Sequence, residues 1–151
     1  MAPSEATLRA RVGHRFPGGT YRIAHWENFL FTDATCVNTL PDELAHPASL
    51  FHVAINGAGT SIEELFEIAQ SRAGAPISIG YYDWRIHQPL REEQTYSLSG
   101  GISDFARRVG RSGTIRDSFT YEIGIEDSSG AAVGDVEFCW HFWRQTEPVS
   151  R

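Results

Sequence analysis

The sequence predicts an α+β domain in which a curved antiparallel sheet wraps one buried helix. Two patterns carry this. Residues 48–56 are apolar nearly all round a helix, which belongs in the middle of a domain. After Pro76 the pattern changes to period two and keeps it to Arg144. At 151 residues, with 41% hydrophobic and 12% aromatic content, the chain has material for a single core. The division expected is an N-terminal segment over residues 1–19, one domain over 20–146 and a tail over 147–151.

Taken in order, Pro17-Gly18-Gly19 ends a ragged N-terminal segment and leads into a short strand over residues 20–24. A helix follows over 26–35, with Trp26, Phe29, Leu30 and Ala34 as its apolar stripe. Residues 37–41 form the loop that stops it. Pro47 suits the first turn of the buried helix, where no amide hydrogen is required, and Gly57 and Gly59 end it. Thr60-x-x-Glu63 reads as the capping box of a further helix, with Ile62, Leu65, Phe66 and Ala69 on one face. Then come the strands. Tyr82, Trp84 and Ile86 share a face opposite Tyr81, Asp83, Arg85 and His87, and residues 94–109 form a longer strand broken by glycine. Phe119, Tyr121, Ile123 and Ile125 point one way, and after the turn Asp127-Ser128-Ser129-Gly130 so do Val136, Phe138, Trp140 and Phe142.

Composition excludes several functions. All 13 basic residues are Arg, so there is no amine for a Schiff base and no phosphate-loop lysine. A net charge of −6 makes the chain a poor sequence-independent nucleic-acid binder. Cys36 and Cys139 have no metal-site spacing and read as buried free thiols. The first residues lack the apolar run of a secretory signal and no stretch is long enough to span a bilayer, so a cytoplasmic protein is expected, with no metal and no cofactor.

Several local patterns, in order, resemble the hot-dog fold and within it the MaoC-like acyl-thioester hydratases and dehydratases. Leu44-Ala45-His46-Pro47-Ala48 stands where that family starts its central helix. Tyr82 to Arg91 resembles its aromatic strand and the turn after it, with Glu92-Glu93 in place of Gly-Asp. Arg107 to Gly113, then a strand, then Glu126 to Gly130 and a closing aromatic strand resemble its last two hairpins. Together these patterns span residues 20–145. The resemblance implies an Asp and a His in an Asp-x-Asn-Pro-x-His loop before the central helix. Alignment puts Val37 at the Asp and Asp42 at the His, and Pro47, which has no amide hydrogen, at the helix-start Gly.

The candidate site residues follow from this placement. His46, at the helix mouth, serves either as a base or as a cap of the helix. Asp33 and Asp42 are the candidate carboxylates, with Asn38 beside them, although Asn38 and Asp42 also suit a loop. Amides at Ala48 and Ser49 would polarise a thioester carbonyl. His52, within the apolar helix, reads as a core histidine. Arg107, Arg108 and Arg111 form a basic patch that either grips coenzyme A or phosphopantetheine phosphates or is a solvated hairpin. The expected function is hydration or dehydration of an enoyl or β-hydroxyacyl thioester. The protein would be a homodimer or a heteromer with another hot-dog chain, with no nucleic-acid or membrane partner. A hot-dog thioesterase, using Glu63, Glu64 or Asp33, and a non-catalytic subunit are the alternatives.

Overall fold

The computed structural model describes residues 2–71 and 74–144. The tail expected over 147–151 and the end of the domain at 146 lie outside the described residues.

Alternating residues build a five-stranded antiparallel sheet in the order β1-β3-β4-β5-β2, from β1 (Gly19–Arg22), β2 (Ile77–Ile86), β3 (Thr95–Val109), β4 (Ile115–Glu126) and β5 (Ala132–Arg144). The two aromatic rows expected from the sequence, Phe119 to Ile125 and Val136 to Phe142, are buried on its inner face. Against them lies the central helix α3 (Ser49–Gly57), which buries Leu50, Val53 and Ala54. A sheet wrapped round one helix in this strand order is the hot-dog arrangement.

Gly57 allows the closest approach. A Cβ there would meet a Leu98 methyl at 2.4 Å and the Tyr21 Cβ at 3.1 Å, so the helix end lies directly on β1 and β3 only as glycine. Among the described residues the long outer strand β2 has no strand beyond it. A register shift at Gly80 bulges that strand, and Phe51 of α3 packs on Tyr82 and Trp84.

Four local features differ from the sequence reading. The N-terminal segment contains a helix, α1 (Glu5–Arg9), capped by Ser4, with Leu8 fully buried and Arg9 over the Phe105 ring. The capping box of α4 (Ile62–Ile68) is Ser61 with Glu64, not Thr60 with Glu63. Ser61 has the extended backbone an N-cap needs, and Thr60 binds the Glu64 carboxylate instead. Cys36 is exposed, in a left-handed turn, whereas Cys139 is buried; both are free. The largest difference is in α2 (His25–Ala34). Its buried residues are Asn28 and Thr32, while Trp26, Phe29 and Leu30 of the expected inward stripe are 63%, 52% and 53% exposed.

At the far end of the sheet, Asp117 is fully buried in β4 between two arginines. Arg107 of β3 makes a two-pronged contact at 2.6 and 2.8 Å, and Arg144 of β5 binds the second oxygen. Arg107 also donates to the Pro3 carbonyl at 3.0 Å, and Arg144 to the Ala69 and Gln70 carbonyls at 2.5 and 2.9 Å. One carboxylate thus joins three strands, the N-terminal segment and the C-terminal end of α4.

Breaking a buried pair leaves uncompensated charge, so Asp117→Ala is expected to cost about 3–5 kcal/mol in urea unfolding. The Tyr121 hydroxyl is buried with no hydrogen-bond partner, and burial pushes its pKa far up. Tyr121→Phe removes an orphaned polar group, so in the same measurement it should leave stability unchanged or raise it by about 1 kcal/mol.

Candidate functional site

Ala24, at the N-cap of α2, has no side chain with which to cap the helix, so Glu27 supplies the contact by accepting the Ala24 amide at 2.8 Å. The other Glu27 oxygen accepts the Tyr21 hydroxyl of β1 at 2.5 Å. His52 of α3 completes the cluster, its Nε2 lying 2.9 Å from the Tyr21 oxygen and 3.4 Å from Glu27. The tyrosine has one hydrogen and gives it to Glu27, so the network assigns a hydrogen to His52 Nε2. Nδ1 is then an acceptor, facing the Asn56 amide nitrogen at 3.3 Å.

The electrostatics agree with this direction of donation. Burial, and then the Glu27 contact, push Tyr21 up to about 12, so it remains a donor. Burial alone would raise Glu27, but the Tyr21 hydroxyl, the Ala24 amide and His52 outweigh it and hold the carboxyl below its ordinary range. An apolar pocket of about 270 Å³ opens beside this cluster, lined by Trp26, Glu27, Leu30, Phe31, Ala34 and His52. The outward turn of α2 is what builds it.

Phe31 links the pocket to the mouth of α3. It lies edge-on to His52 at 5.4 Å and stacks on His46 with an interplanar angle of 6°. His46 is half-buried and acts on its own helix. Its Nδ1 accepts the Ala48 amide at 3.2 Å, its carbonyl accepts the Ser49 amide at 2.8 Å, and Nε2 is 3.4 Å from the Thr35 hydroxyl. Neither the Ala48 nor the Ser49 amide is therefore free for a carbonyl, and Pro47 has none. Ser49 is buried with an unpartnered hydroxyl. Asn28 fixes the loop from inside, accepting the His46 amide at 2.8 Å and donating to the Leu44 carbonyl at 3.2 Å.

The remaining sequence candidates do not gather here. Asp33, Asn38 and Asp42 are exposed, and none of their side chains hydrogen-bonds to His46. Asp42 and Glu43 adopt left-handed backbone, and the Asp42 carbonyl accepts Arg91, which is a loop-forming role. The Arg107 fork is committed to Asp117 and is not available to a phosphate. Arg108 and Arg111 are exposed at the β3–β4 hairpin. Tyr21 pairs with Tyr96 on β3, and from there to Arg107 is roughly 35 Å along the strand at about 3.3 Å per residue. Within one chain, the basic patch and the pocket are thus at opposite ends. Tyr21, Glu27 and Asn28 were not singled out from sequence. The available signal was Asn28 and Thr32, two polar residues four apart on a helix otherwise rich in apolar side chains. Among the described residues no group of His, Cys, Asp or Glu is placed to hold a metal. No helix among them is long and apolar enough to cross a membrane.

No family model matches the chain, and no curated protein matches it. Solved structures do. The ChsH1–ChsH2 complex from Mycobacterium tuberculosis superposes with a TM-score of 0.69 at 11% identity, over 95% of this chain and 91% of that one. The HadBC (3R-hydroxyacyl-ACP dehydratase) complex from the same organism gives 0.63 at 12%, over 84% and 92%. A MaoC-like dehydratase gives 0.67 at 16%, over 89% of this chain and 43% of that one, so the chain corresponds to less than half of that protein. At these identities the likeness establishes the hot-dog fold.

Two outcomes test the roles assigned above. His46→Ala removes a cap-like contact at α3 and should lower stability by about 1 kcal/mol in thermal melts. Because the Glu27 pKa is lowered by folding, its stabilisation is complete above the ordinary carboxyl value of about 4.3 and is lost as pH falls through the lower folded value. Urea titrations across this range should show that Glu27→Gln removes this part of the acid lability.

Proposed function

We propose that this chain is a MaoC-like hydratase or dehydratase of an enoyl or β-hydroxyacyl thioester, carried on coenzyme A or a carrier protein. Its site is non-standard, and it works as a homodimer or paired with another hot-dog chain in the cytoplasm. The observation that carries the reading is that Trp26, Leu30 and Ala34 of the outward-facing stripe of α2 make, with Phe31 and His52, an open apolar pocket against the central helix. A contiguous apolar patch of this kind marks a ligand or partner surface. At about 270 Å³ the pocket is just below the usual ligand-site range of about 300–1,000 Å³, which suits a short acyl group or a site with one wall supplied by a partner.

The free edge of β2 supports pairing. Ile77, Ile79, Tyr81, Trp84 and Ile86 are exposed along a strand whose outer hydrogen-bonding groups face no other strand among the described residues. Such an edge is normally covered, and two copies meeting there about a twofold axis would cover it on both. The ChsH1–ChsH2 and HadBC neighbours are both complexes, which supports pairing here. The occupied amides at the helix mouth favour a second reading, a non-catalytic subunit that binds the acyl group while its partner does the chemistry. Nothing comparable supports a thioesterase, because Asp33 and Glu63 are exposed and Glu64 is spent capping α4.

The test is a tryptophan-fluorescence titration of the purified chain with butyryl-CoA, beside turnover assays on crotonyl-CoA and 3-hydroxybutyryl-CoA. Saturable binding that weakens about tenfold or more in Leu30→Arg is expected, since a charge placed in an apolar site costs at least about 1.4 kcal/mol. Absence of both binding and turnover on every thioester would overturn the reading.

A further inference from the structure

We infer that His52 is the general base of this site, acting through Nδ1, with Glu27 as its orienting carboxylate and Tyr21 as the hydroxyl that couples them. The inference rests on the acyl-thioester reading above and names the group that moves the proton.

The geometry is that of a base held from behind. His52 projects from the central helix into the wall of the pocket and is 37% exposed, whereas Glu27 behind it is only 12% exposed. Nε2 is engaged on the Tyr21 and Glu27 side, which fixes the tautomer and leaves the lone pair on Nδ1. The Asn56 amide that faces Nδ1 at 3.3 Å has its stronger bond, 2.8 Å, to the His52 carbonyl, so a substrate proton displaces only the weaker contact. The ring plane is set by Phe31 and Tyr21, both edge-on to it at about 5.4 and 5.5 Å. A carboxylate held ionised suits Glu27 to stabilise an imidazolium and makes it a poor base itself.

In dehydration, His52 Nδ1 takes the α-proton of the β-hydroxyacyl thioester. The C–H electron pair becomes the new Cα–Cβ double bond, and the Cβ–O bond breaks. The imidazolium then returns the same proton to the departing hydroxyl, which leaves as water, and the histidine is neutral again. Hydration is the reverse, with His52 taking the proton from water and delivering it to Cα. No oxidant, metal or second acid is required.

Among the described residues, the titratable groups hydrogen-bonded to His52 are Glu27 from α2 and Tyr21 from β1. Turnover of crotonyl-CoA and 3-hydroxybutyryl-CoA by the purified chain, followed against pH, tests their roles beside butyryl-CoA binding. His52→Gln is expected to lower kcat by about 10²–10⁴-fold while binding changes by less than about threefold. Glu27→Gln removes the negative charge that stabilises the imidazolium formed in the reaction, so it should lower kcat with KM little changed; a carboxylate that only capped α2 would lower stability and leave kcat in place. Tyr21→Phe should lower kcat with KM unchanged. A wild-type chain that binds butyryl-CoA but turns over neither substrate would overturn the assignment while leaving a thioester-binding subunit. So would a His52→Gln variant as active as wild type. Loss of both binding and turnover in the wild type would instead remove the thioester reading on which the assignment rests.

Discussion

The site depends on the carboxamide of Asn28. It is buried on the inner face of α2 and satisfied on both sides, holding the Leu44 carbonyl and the His46 amide in the loop before the central helix. Turning α2 to bury its apolar stripe would break both bonds and leave polar groups inside, at about 1–3 kcal/mol for each unsatisfied group. The stripe faces outward because that penalty is avoided. Burying a large apolar side chain fully contributes about 1.5–3 kcal/mol. With about half of Trp26, Phe29 and Leu30 still exposed, roughly 1 kcal/mol each remains available to whatever covers them. One buried amide therefore sets the direction of the helix, the existence of the pocket and the binding energy still to be gained there.

The same orientation brings Glu27 to His52. Glu27 lies one residue before Asn28, so a helix that sends the carboxamide toward the loop carries the carboxylate toward β1 and the central helix. There the glycine at the end of α3 lets the helix lie on Tyr21 and Leu98. The close approach of helix and strand and the polar inner face of α2 are separate constraints, and the Tyr21–Glu27–His52 cluster lies where they meet.

Much of the fold was legible in the sequence because period-two alternation across four strands has few other solutions. Phe119, Tyr121, Ile123 and Ile125 had to share a face, and a helix as apolar as residues 48–56 had to lie against it. The site was less legible. Periodicity groups Trp26, Leu30 and Ala34 on one face of α2 but does not say whether that face meets the core. Thr60 and Ser61 are both capable N-caps followed three residues on by Glu, and only backbone conformation selects the second. Tyr21, Glu27 and His52 come from three elements and form no local motif. Arg107 looked free because its partner, Asp117, is ten residues on and faces it only once the β3–β4 register is set.

The two ends of the molecule are held by different kinds of interaction. At the hairpin end, a dry carboxylate gripped by two guanidinium groups resists local opening, because parting them would strand charge. At the pocket end, α2 is tied by carboxylate contacts of Glu27 and His25 and by the Asn28 carboxamide, and it leaves much of its own apolar surface uncovered. Segments with less buried apolar surface open at lower free energy, so hydrogen exchange is expected first at α2 and last in the strands gripped at Asp117. The pocket is lined by α2 and His52 and by no residue of the sheet, so a ligand there would press on the less buried element, with the sheet as support behind it.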